Sequence, residues 1–346
     1  MQIDGYDQFE LLGSGGYSRV WRAYQPSFGR HVAIKVLTFD VLDKAAVRSF
    51  ERECQAMGRV AAHPNIVSVL GNGRTNDGKL YIAMEYFGGG NYSDRMRAER
   101  ISVRDVLATG VKVSAALATA HQAGILHRDL KPANVLVSSF GEPALSDFGI
   151  STIDRERTTT GTAGMTVHYA PPEILNGEAS DVRSDIYSLG ATLWALLQGH
   201  KPFHNPSDES VAATAVRIMS KPAEPIVRTD CPPELRFVVL RAMAKRRADR
   251  YESALEIAQD LREIQAALGY PTTELVFRSE LGEAVTERPR RTPSQNSSSS
   301  ASRRSVSRPT SQTVVQLPSP LWQRVALGGV IGLIVVLLVA VTAQLA

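Results

Sequence analysis

Apolar residues recur at strand-like and helix-like spacings along the first 268 residues of the chain. The run HVAIKVL (31–37) is rich in β-branched residues and is typical of a strand. Further on, apolar side chains recur at i, i+3, i+7 and i+10 and predict an amphipathic helix; they are Val47, Phe50, Cys54 and Met57. The pattern therefore predicts a folded region that contains both strands and helices.

We expect that folded region to end near residue 268. The last helix indicated by periodicity runs from Tyr251 to Leu268. Gly269 and Pro271 come next, as is typical at and after a helix C-terminus. These features predict a folded domain at 1–268 and a disordered linker, rich in Ser, Arg and Pro, at 269–324.

The linker is most biased in composition between Arg288 and Arg324, where seven arginines and no acidic residue occur. Such a segment buries too little apolar surface to offset the entropy cost of ordering it. Nineteen uncharged residues follow at 325–343, and as a helix they would span about 28 Å, close to the hydrocarbon thickness of a bilayer. They predict a transmembrane helix. The alternative is a buried core helix, which would not be expected after a disordered linker.

The flanks of this span predict its orientation. Arginines occur only on its N-terminal side, and the N-terminus of the chain has no apolar stretch of a signal peptide. The positive-inside rule therefore predicts a single-pass protein of the cell membrane, with residues 1–324 in the cytoplasm and a short C-terminus outside. Gly328 and Gly332 form a small-xxx-small pair that would suit a homodimer.

The distribution of charged residues and the number of cysteines narrow the class of protein. The net charge of +4 lies in the tail, since residues 1–268 carry 31 basic and 31 acidic side chains. A neutral body argues against a nucleic-acid-binding protein, which would have a basic surface on its folded domain. Cys54 and Cys231 are too few for a disulfide framework and are typical of buried thiols in a reducing compartment.

A glycine-rich segment, LGSGGYSRV, precedes the strand that carries Lys35. Gly13 and Gly15 would let the backbone approach phosphate oxygens, although glycine turns between strands are mostly structural. Lys35 is the stronger signal, because an ammonium in an apolar strand needs a partner. Glu53 is the candidate, since it lies at the edge of the apolar helix stripe while Glu51 faces solvent. The alternative is that both glutamates are solvated surface charges.

Three polar motifs follow: HRDLKPAN (127–134), DFG (147–149) and YAPPE (169–173). Phosphoryl transfer needs a carboxylate near the attacking hydroxyl and a metal ion on the phosphates. Asp and Asn oxygens are ligands that suit Mg²⁺. Two aspartates, one asparagine and one lysine on short turns after apolar runs therefore fit this chemistry.

In order and spacing, these motifs resemble those of Hanks-type protein kinases, specifically the membrane-anchored, actinobacterial-like Ser/Thr kinases of bacteria. The resemblance covers roughly residues 9–268. It implies an α+β, bilobal protein kinase fold with a small β-rich N-lobe (1–87), a large helical C-lobe (88–268) and one added transmembrane helix. It also implies transfer of the γ-phosphate of ATP to Ser or Thr of protein substrates, with Mg²⁺ as the metal ion and Mn²⁺ as an alternative.

The same resemblance implies roles for single residues. Asp129 would be the catalytic base, and Lys131 would contact the γ-phosphate. Asn134 and Asp147 would hold the metal ions. Lys35 would bind the α- and β-phosphates and pair with the inward-facing glutamate of the helix. In the C-lobe, Asp185 would be structural, and Arg250 would pair with Glu173.

The nucleotide pocket implied by the resemblance lies between the lobes. Its residues would be Leu12, Gly13, Gly15, Val20 and Ala33 around the nucleotide, Met84 as gatekeeper, and Glu85 and Phe87 at the hinge. One departure from the family pattern is Ser18, which stands in place of the third glycine of the loop. Another is Met165, which precedes Thr166 where the family usually has glycine, and it leaves the alignment of this loop open.

Regulation is implied by threonines between the DFG and YAPPE motifs. Thr158 and Thr160 best match the autophosphorylated pair of the family, and Arg128 would clamp a phosphothreonine there. The alternative is that a polar loop contains threonines by composition alone. In the linker, Ser and Thr residues would recruit forkhead-associated-domain partners if phosphorylated, or the arginines would tether the linker to anionic lipid.

Two other classes share part of this pattern. A pseudokinase scaffold would bind partners without catalysis, but it should lack Lys35, Asp129 or Asp147, and all three are present. A small-molecule phosphotransferase would share the Asp and Asn a few residues apart. It would usually lack the Pro172-Glu173 pair and the activation-loop threonines.

Overall fold

The structure, a computed structural model, describes residues 2–15, 18–38, 44–148, 167–208, 210–278 and 284–287. Its strands are β1 (Asp7–Ser14), β2 (Ser18–Gln25), β3 (Arg30–Leu37), β4 (Val69–Arg74), β5 (Leu80–Glu85), β6 (Val135–Val137), β7 (Pro143–Leu145), β8 (Leu275–Arg278) and β9 (Ala284–Glu287). Its helices are α1 (Lys44–Val60), α2 (Tyr92–Ala98), α3 (Val103–Gln122), α4 (Pro172–Leu175), α5 (Val182–Gln198), α6 (Val211–Ser220), α7 (Pro233–Ala242) and α8 (Ala254–Ala267).

The N-terminal part is an antiparallel sheet of five strands in the order β1-β2-β3-β5-β4. Side chains of β3 alternate between its two faces, as strand geometry requires. Val32, Ile34 and Val36 pack into a small cluster on one face, while Ala33 and Leu37 join the main core on the other. The side chain of Lys35 therefore lies on the face that is directed toward the rest of the molecule.

Helix α1 covers that face of the sheet. Phe50, Cys54 and Met57 of the predicted apolar stripe are buried in the main core, so the prediction of an amphipathic helix is confirmed. Glu53 is partly buried at the edge of the stripe, and Glu51 is exposed, as the periodicity indicates. The helix thus carries one carboxylate, that of Glu53, at the edge of its buried stripe.

The C-terminal part is built around α3 and α5, which are almost entirely buried. Helix α3 crosses α8 closely, because at Gly110 an added Cβ would lie 2.7 Å from Leu261 Cδ1. Helix α5 begins with a reciprocal capping box between Asp181 and Ser184, which satisfies its first amide groups. Two helices fixed in this way form the base on which the loops of the site rest.

The chain beyond α8 corrects one prediction. Helix α8 matches the predicted last helix, but the residues that follow it are not a free linker. Gln265 donates to Thr273 Oγ1 and accepts from Thr273 N, both at 2.8 Å, and Leu275 is buried. The prediction of disorder from residue 269 is therefore wrong for residues 270–278. A short apolar run in this segment (LVF) packs against the C-terminal part.

Strand β8 is also joined to the loop between α1 and β4. His63 Nδ1 accepts from Asn65 N at 3.0 Å, so the ring proton lies on Nε2, which donates to Val276 O at 2.8 Å. Burial lowers the pKa of His63, which keeps the ring neutral in this arrangement. The segment after α8 is thereby attached to the end of the helix that carries Glu53.

The remaining predictions for the tail lie outside the described residues. These are the rest of the linker and the transmembrane helix at 325–343. Across the part of the chain that the structure describes, no helix is both long enough and apolar enough to span a bilayer.

Candidate active site

The loop that carries the HRD motif, between α3 and β6, is fixed by one buried carboxylate on α5. Asp185 accepts from His127 N at 2.7 Å, Arg128 N at 2.8 Å and His121 Nε2 at 2.8 Å. Burial alone would raise the pKa of Asp185, but the hydrogen bond and charge of His121 outweigh it, and the pKa lies below its ordinary value. Asp185 is thus the structural residue that was predicted, and it remains ionised.

The loop presents Asp129 to solvent at its tip, with 37% of the side chain exposed. Lys131 Nζ donates to Asp129 Oδ2 at 2.8 Å. Asn134 Nδ2 donates to Asp129 O at 2.7 Å and to Oδ2 at 3.0 Å. Three predicted site residues are therefore in contact, and an accessible carboxylate lies between a lysine and an amide.

Asp147 lies beside this group at the end of β7. The strand is joined to the HRD loop where Ser146 N donates to Asn134 O at 2.9 Å. Phe148 is buried against the ring of His127, with 4.6 Å between ring centroids. Asp147 itself has a φ of +64°, in the left-handed region, so the chain turns and directs its carboxylate toward the sheet.

Lys35 meets Asp147 across the cleft. Lys35 Nζ lies 2.7 Å from Asp147 Oδ1. Burial would raise the pKa of Asp147, but the charge and hydrogen bond of Lys35, together with smaller contributions from His127 and Lys131, outweigh it and hold the pKa below its ordinary value. The two groups expected to meet ATP phosphates and metal are therefore brought together, with Asp147 ionised beside Lys35.

The predicted ion pair between Lys35 and Glu53 is not formed. Among the ion pairs of the described residues, the partner of Lys35 is Asp147. Periodicity correctly places Glu53 on the inward side of α1, but it does not fix the distance between that helix and β3. In this structure the partner of Lys35 is therefore Asp147 rather than the predicted Glu53, and pairing with Glu53 stays a prediction; the expectation that Lys35 needs a carboxylate partner is met.

The donor set suits a divalent cation held jointly by protein and phosphate. Because Asn134 Nδ2 is directed at Asp129, its amide oxygen is left to act as a ligand, and Asp147 supplies a carboxylate. Within the described ranges, no three His, Cys, Asp or Glu side chains cluster as a metal site. Mg²⁺ typically binds through one or two protein oxygens plus substrate phosphates and water, so Asn134 and Asp147 fit this ion.

The predicted nucleotide pocket lies on neighbouring strands. Ala33 pairs in register with Met84, and both side chains are buried. Val20 pairs with Gly13 on β1 and with Lys35 on β3. The remaining predicted residues lie near the strand ends: Leu12 and Glu85 exposed, Phe87 partly buried, and Gly15 donating from its amide to Ser18 O at 2.8 Å. The sheet thus forms an apolar wall next to Lys35.

A buried ion pair joins the YAPPE motif to the loop before α8. Arg250 Nη1 and Nη2 donate to Glu173 Oε1 and Oε2 at 2.7 and 2.8 Å, and Ser184 Oγ donates to Oε1 at 2.8 Å. Burial would raise the pKa of Glu173, but the hydrogen bonds and charge of Arg250, together with the backbone and Ser184 hydrogen bonds to the carboxylate, outweigh it and lower the pKa. The predicted pairing of Arg250 with Glu173 is confirmed.

One residue of the site, His121, was not predicted from the sequence, and several predicted residues lie outside the part of the chain that the structure describes. His121 was missed, because its contact with Asp185 joins positions 64 residues apart that no spacing rule connects. Gly149 and the predicted activation-loop residues Thr158, Thr160 and Met165 lie outside the described residues.

Comparisons with known proteins agree with this geometry. The protein kinase domain family matches residues 6–261. Serine/threonine-protein kinase PknK of Mycobacterium tuberculosis is 39% identical over 280 residues, which cover 80% of this chain and 25% of that protein. Serine/threonine-protein kinase PknB of Mycolicibacterium smegmatis is 39% identical over 268 residues, covering 75% of this chain and 42% of that protein.

Solved structures give the same result. The crystal structure of the M. tuberculosis PknI kinase domain is 31% identical, has a TM-score of 0.61, and covers 77% of this chain and 98% of that one. The chain spans less than half the length of the curated relatives above, but it spans nearly all of this solved kinase domain. The similarity therefore concerns the kinase domain.

Proposed function

This chain belongs to the protein kinase family and contains a serine/threonine protein kinase domain, and we propose that it transfers the γ-phosphate of ATP to Ser and Thr of protein substrates. The observation that carries the proposal is the cluster of Asp129, Lys131 and Asn134 opposite the Lys35–Asp147 pair. Phosphoryl transfer depends on such positioning and charge far more than on covalent chemistry.

In the proposed reaction, Asp129 orients the substrate hydroxyl and accepts its proton. The hydroxyl oxygen forms a bond to the γ-phosphorus, and the bond from that phosphorus to the bridging oxygen of ADP breaks. Lys131, already 2.8 Å from Asp129, would compensate charge on the transferred group. A metal ion held by Asn134 and Asp147 would supply charge neutralisation on the phosphates.

Lys35 would exchange partners when ATP binds. Its ammonium now contacts Asp147, the residue expected to hold the metal ion. Once phosphates and metal occupy the cleft, Asp147 would turn to the metal and Lys35 to the α- and β-phosphates. Glu53, partly buried on the inward side of α1, would then be the carboxylate that orients Lys35.

The test is transfer of labelled phosphate from ATP by the full chain, with and without Mg²⁺. We expect label on a generic protein acceptor and on the chain itself, and loss of both in Lys35→Met and Asp147→Asn. Lys79→Met, which removes a lysine from a surface pair with Asp77, should leave transfer unchanged.

Mapping the label by mass spectrometry tests self-activation in the same samples. Label on Thr158 or Thr160 would support the proposal that Arg128 clamps a phosphothreonine there. Wild-type activity in a Thr158→Ala/Thr160→Ala double variant would contradict it. Absence of label on every acceptor, despite ATP binding, would instead favour a scaffold.

We also propose that residues 325–343 anchor the chain in the cell membrane with its kinase domain in the cytoplasm. The support is the uncharged run and the arginines that precede it. Like the anchor, two further parts of the proposal are supported by the sequence alone: pairing of two copies through Gly328 and Gly332, and recruitment of forkhead-associated-domain partners by the linker. A reporter fused after Ala346 should read as non-cytoplasmic, whereas a fusion after Arg324 should read as cytoplasmic. A cytoplasmic signal from both would contradict the anchor.

A further inference from the structure

A groove of about 350 Å³ opens beside the HRD loop, and we refer to it as the cationic groove. Its lining includes Lys131, Pro132 and Ala133 of the HRD loop, Met96 and Arg97 of α2, and Gly199, His200, Lys201 and His204 after α5. Lys131 also contacts Asp129, so the groove begins next to the group that would accept the proton of the substrate.

The loop after α5, which lines the groove, is fixed by contacts with neighbouring residues. Gly199 ends α5 in the left-handed region, with a φ of +79°, and His200 packs edge-on against Trp194, with 5.1 Å between ring centroids. His168 donates from Nδ1 to Pro202 O at 2.9 Å, and Phe203 is buried. These contacts fix the backbone on both sides of Lys201, whose side chain is exposed.

The charges on the groove have one sign. Its lining contains Arg97, Lys131 and Lys201 and, among the described residues, no Asp or Glu. Arg97 forms an ion pair with Asp94 on the same helix, and Lys131 forms an ion pair with Asp129. Lys201 has no carboxylate of the described residues within ion-pair distance, so it is the cation most available to a ligand.

We infer that the cationic groove selects protein substrates with acidic side chains close to the Ser or Thr that is phosphorylated. The inference rests on the proposed function and adds the class of substrate. A peptide laid from Asp129 into the groove would place its neighbouring side chains near Arg97 and Lys201, where carboxylates are attracted and ammonium groups repelled. The side chain of Ala133 has no carboxylate that could attract a basic peptide.

The positive charge of the groove also affects how the kinase would treat its own linker. The Ser and Thr residues of the linker lie among arginines, seven of them between residues 288 and 324 with no acidic residue. A segment of that composition would be repelled by the cationic groove, so it would be a poor substrate in comparison with an acidic protein. If the linker recruits forkhead-associated-domain partners, we therefore expect its phosphorylation by this kinase to be slow in comparison with that of acidic proteins.

The test uses the full chain and three peptides that share one Thr acceptor and differ only in flanking residues: Glu, Gln or Lys on both sides. We expect kcat/KM to be roughly fivefold higher for the Glu peptide than for the Gln peptide, and lowest for the Lys peptide, since each exposed ion pair contributes a small factor. The preference should shrink in 0.5 M salt, where exposed charges are screened.

Charge reversal identifies the residues responsible. Lys201→Glu should abolish the preference for the Glu peptide, and Arg97→Gln should reduce it by about half on a logarithmic scale. Lys221→Glu, a reversal at an exposed lysine that does not line the groove, should leave the preference unchanged. Fluorescence anisotropy would measure binding of the unphosphorylated peptides. Their affinities should follow the same order as kcat/KM.

The outcomes separate the inference from the function on which it rests. Equal transfer to all three peptides, with equal binding, would overturn the inference and leave the kinase activity established. The same preference in Lys201→Glu as in wild type would also overturn it. Failure to transfer phosphate to any of the peptides or to any protein acceptor would overturn the proposed function. Tighter binding of the Glu peptide than of the Gln and Lys peptides would even then support the preference of the groove for acidic side chains.

Discussion

Replacement of Asp129 by Asn is expected to lower kcat by about 10²–10⁴-fold, with little change in the affinity for ATP. The amide matches the carboxylate in shape, so the contact with Asn134 can persist, but it cannot accept the proton of the substrate hydroxyl. Steady-state kinetics with ATP varied at saturating protein substrate would measure kcat, and titration with a non-hydrolysable ATP analogue would measure binding.

The matched control is Asp77→Asn, a change of the same kind at an exposed carboxylate in the turn between β4 and β5. It should leave kcat within twofold of wild type, since surface pairs of this kind contribute little. If Asp129→Asn kept kcat within tenfold of wild type, the proton would have to leave by another route. The role of Asp129 would then be positioning rather than proton transfer.

Arg250→Met is expected to lower the free energy of unfolding by about 3–5 kcal/mol, the largest effect on stability that we predict. Arg250 is fully buried, and its removal would leave the Glu173 carboxylate in the interior with the Ser184 hydroxyl as a hydrogen-bond donor and the partly exposed Arg247 guanidinium 3.5 Å away. Urea denaturation at pH 7 would measure the loss. Arg246→Met, which removes an exposed pair with Asp249, should cost less than about 1 kcal/mol.

The pH dependence gives an independent check on the same pair. In the wild type, the pKa of Glu173 is lowered, so the ion pair stabilises the fold above the pKa of the unfolded chain and loses this effect as pH falls. Without Arg250, burial would raise the pKa of Glu173, and the carboxyl would bind a proton before the fold is lost. The stability deficit of Arg250→Met should therefore shrink between pH 7 and pH 4.5, and the double variant Glu173→Gln/Arg250→Met should recover part of it at pH 7. A constant deficit across this range would show that lost packing, rather than the unpaired charge, is responsible.

The residues that sequence analysis identified well are those whose chemistry is encoded locally. Asp129, Lys131 and Asn134 lie within six positions, so a short loop is enough to bring them together. The stripe that includes Phe50 and Met57 fixes one face of α1 in the same local way, because helical geometry alone relates its members.

What sequence analysis could not provide depends on contacts between distant segments. Lys35 pairs with Asp147, 112 positions away, because the closing of the cleft sets which carboxylate lies nearest. His121 and Asp185 meet because α3 and α5 pack side by side. Likewise, the apolar run 275–277 is too short to be distinguished from a polar tail until the buried surface that receives it is known.

Asp147 and Arg128 have a left-handed backbone, with φ values of +64° and +66°. This conformation limits which substitutions the two positions tolerate. A side chain with a Cβ costs about 1–2 kcal/mol in this conformation, except where Asn or Asp bonds locally. A selection that asked only for soluble folded protein would therefore still favour Asp, Asn or Gly at position 147. Alanine there would confound lost chemistry with lost stability, so asparagine is the appropriate inactive reference when this chain is studied in cells.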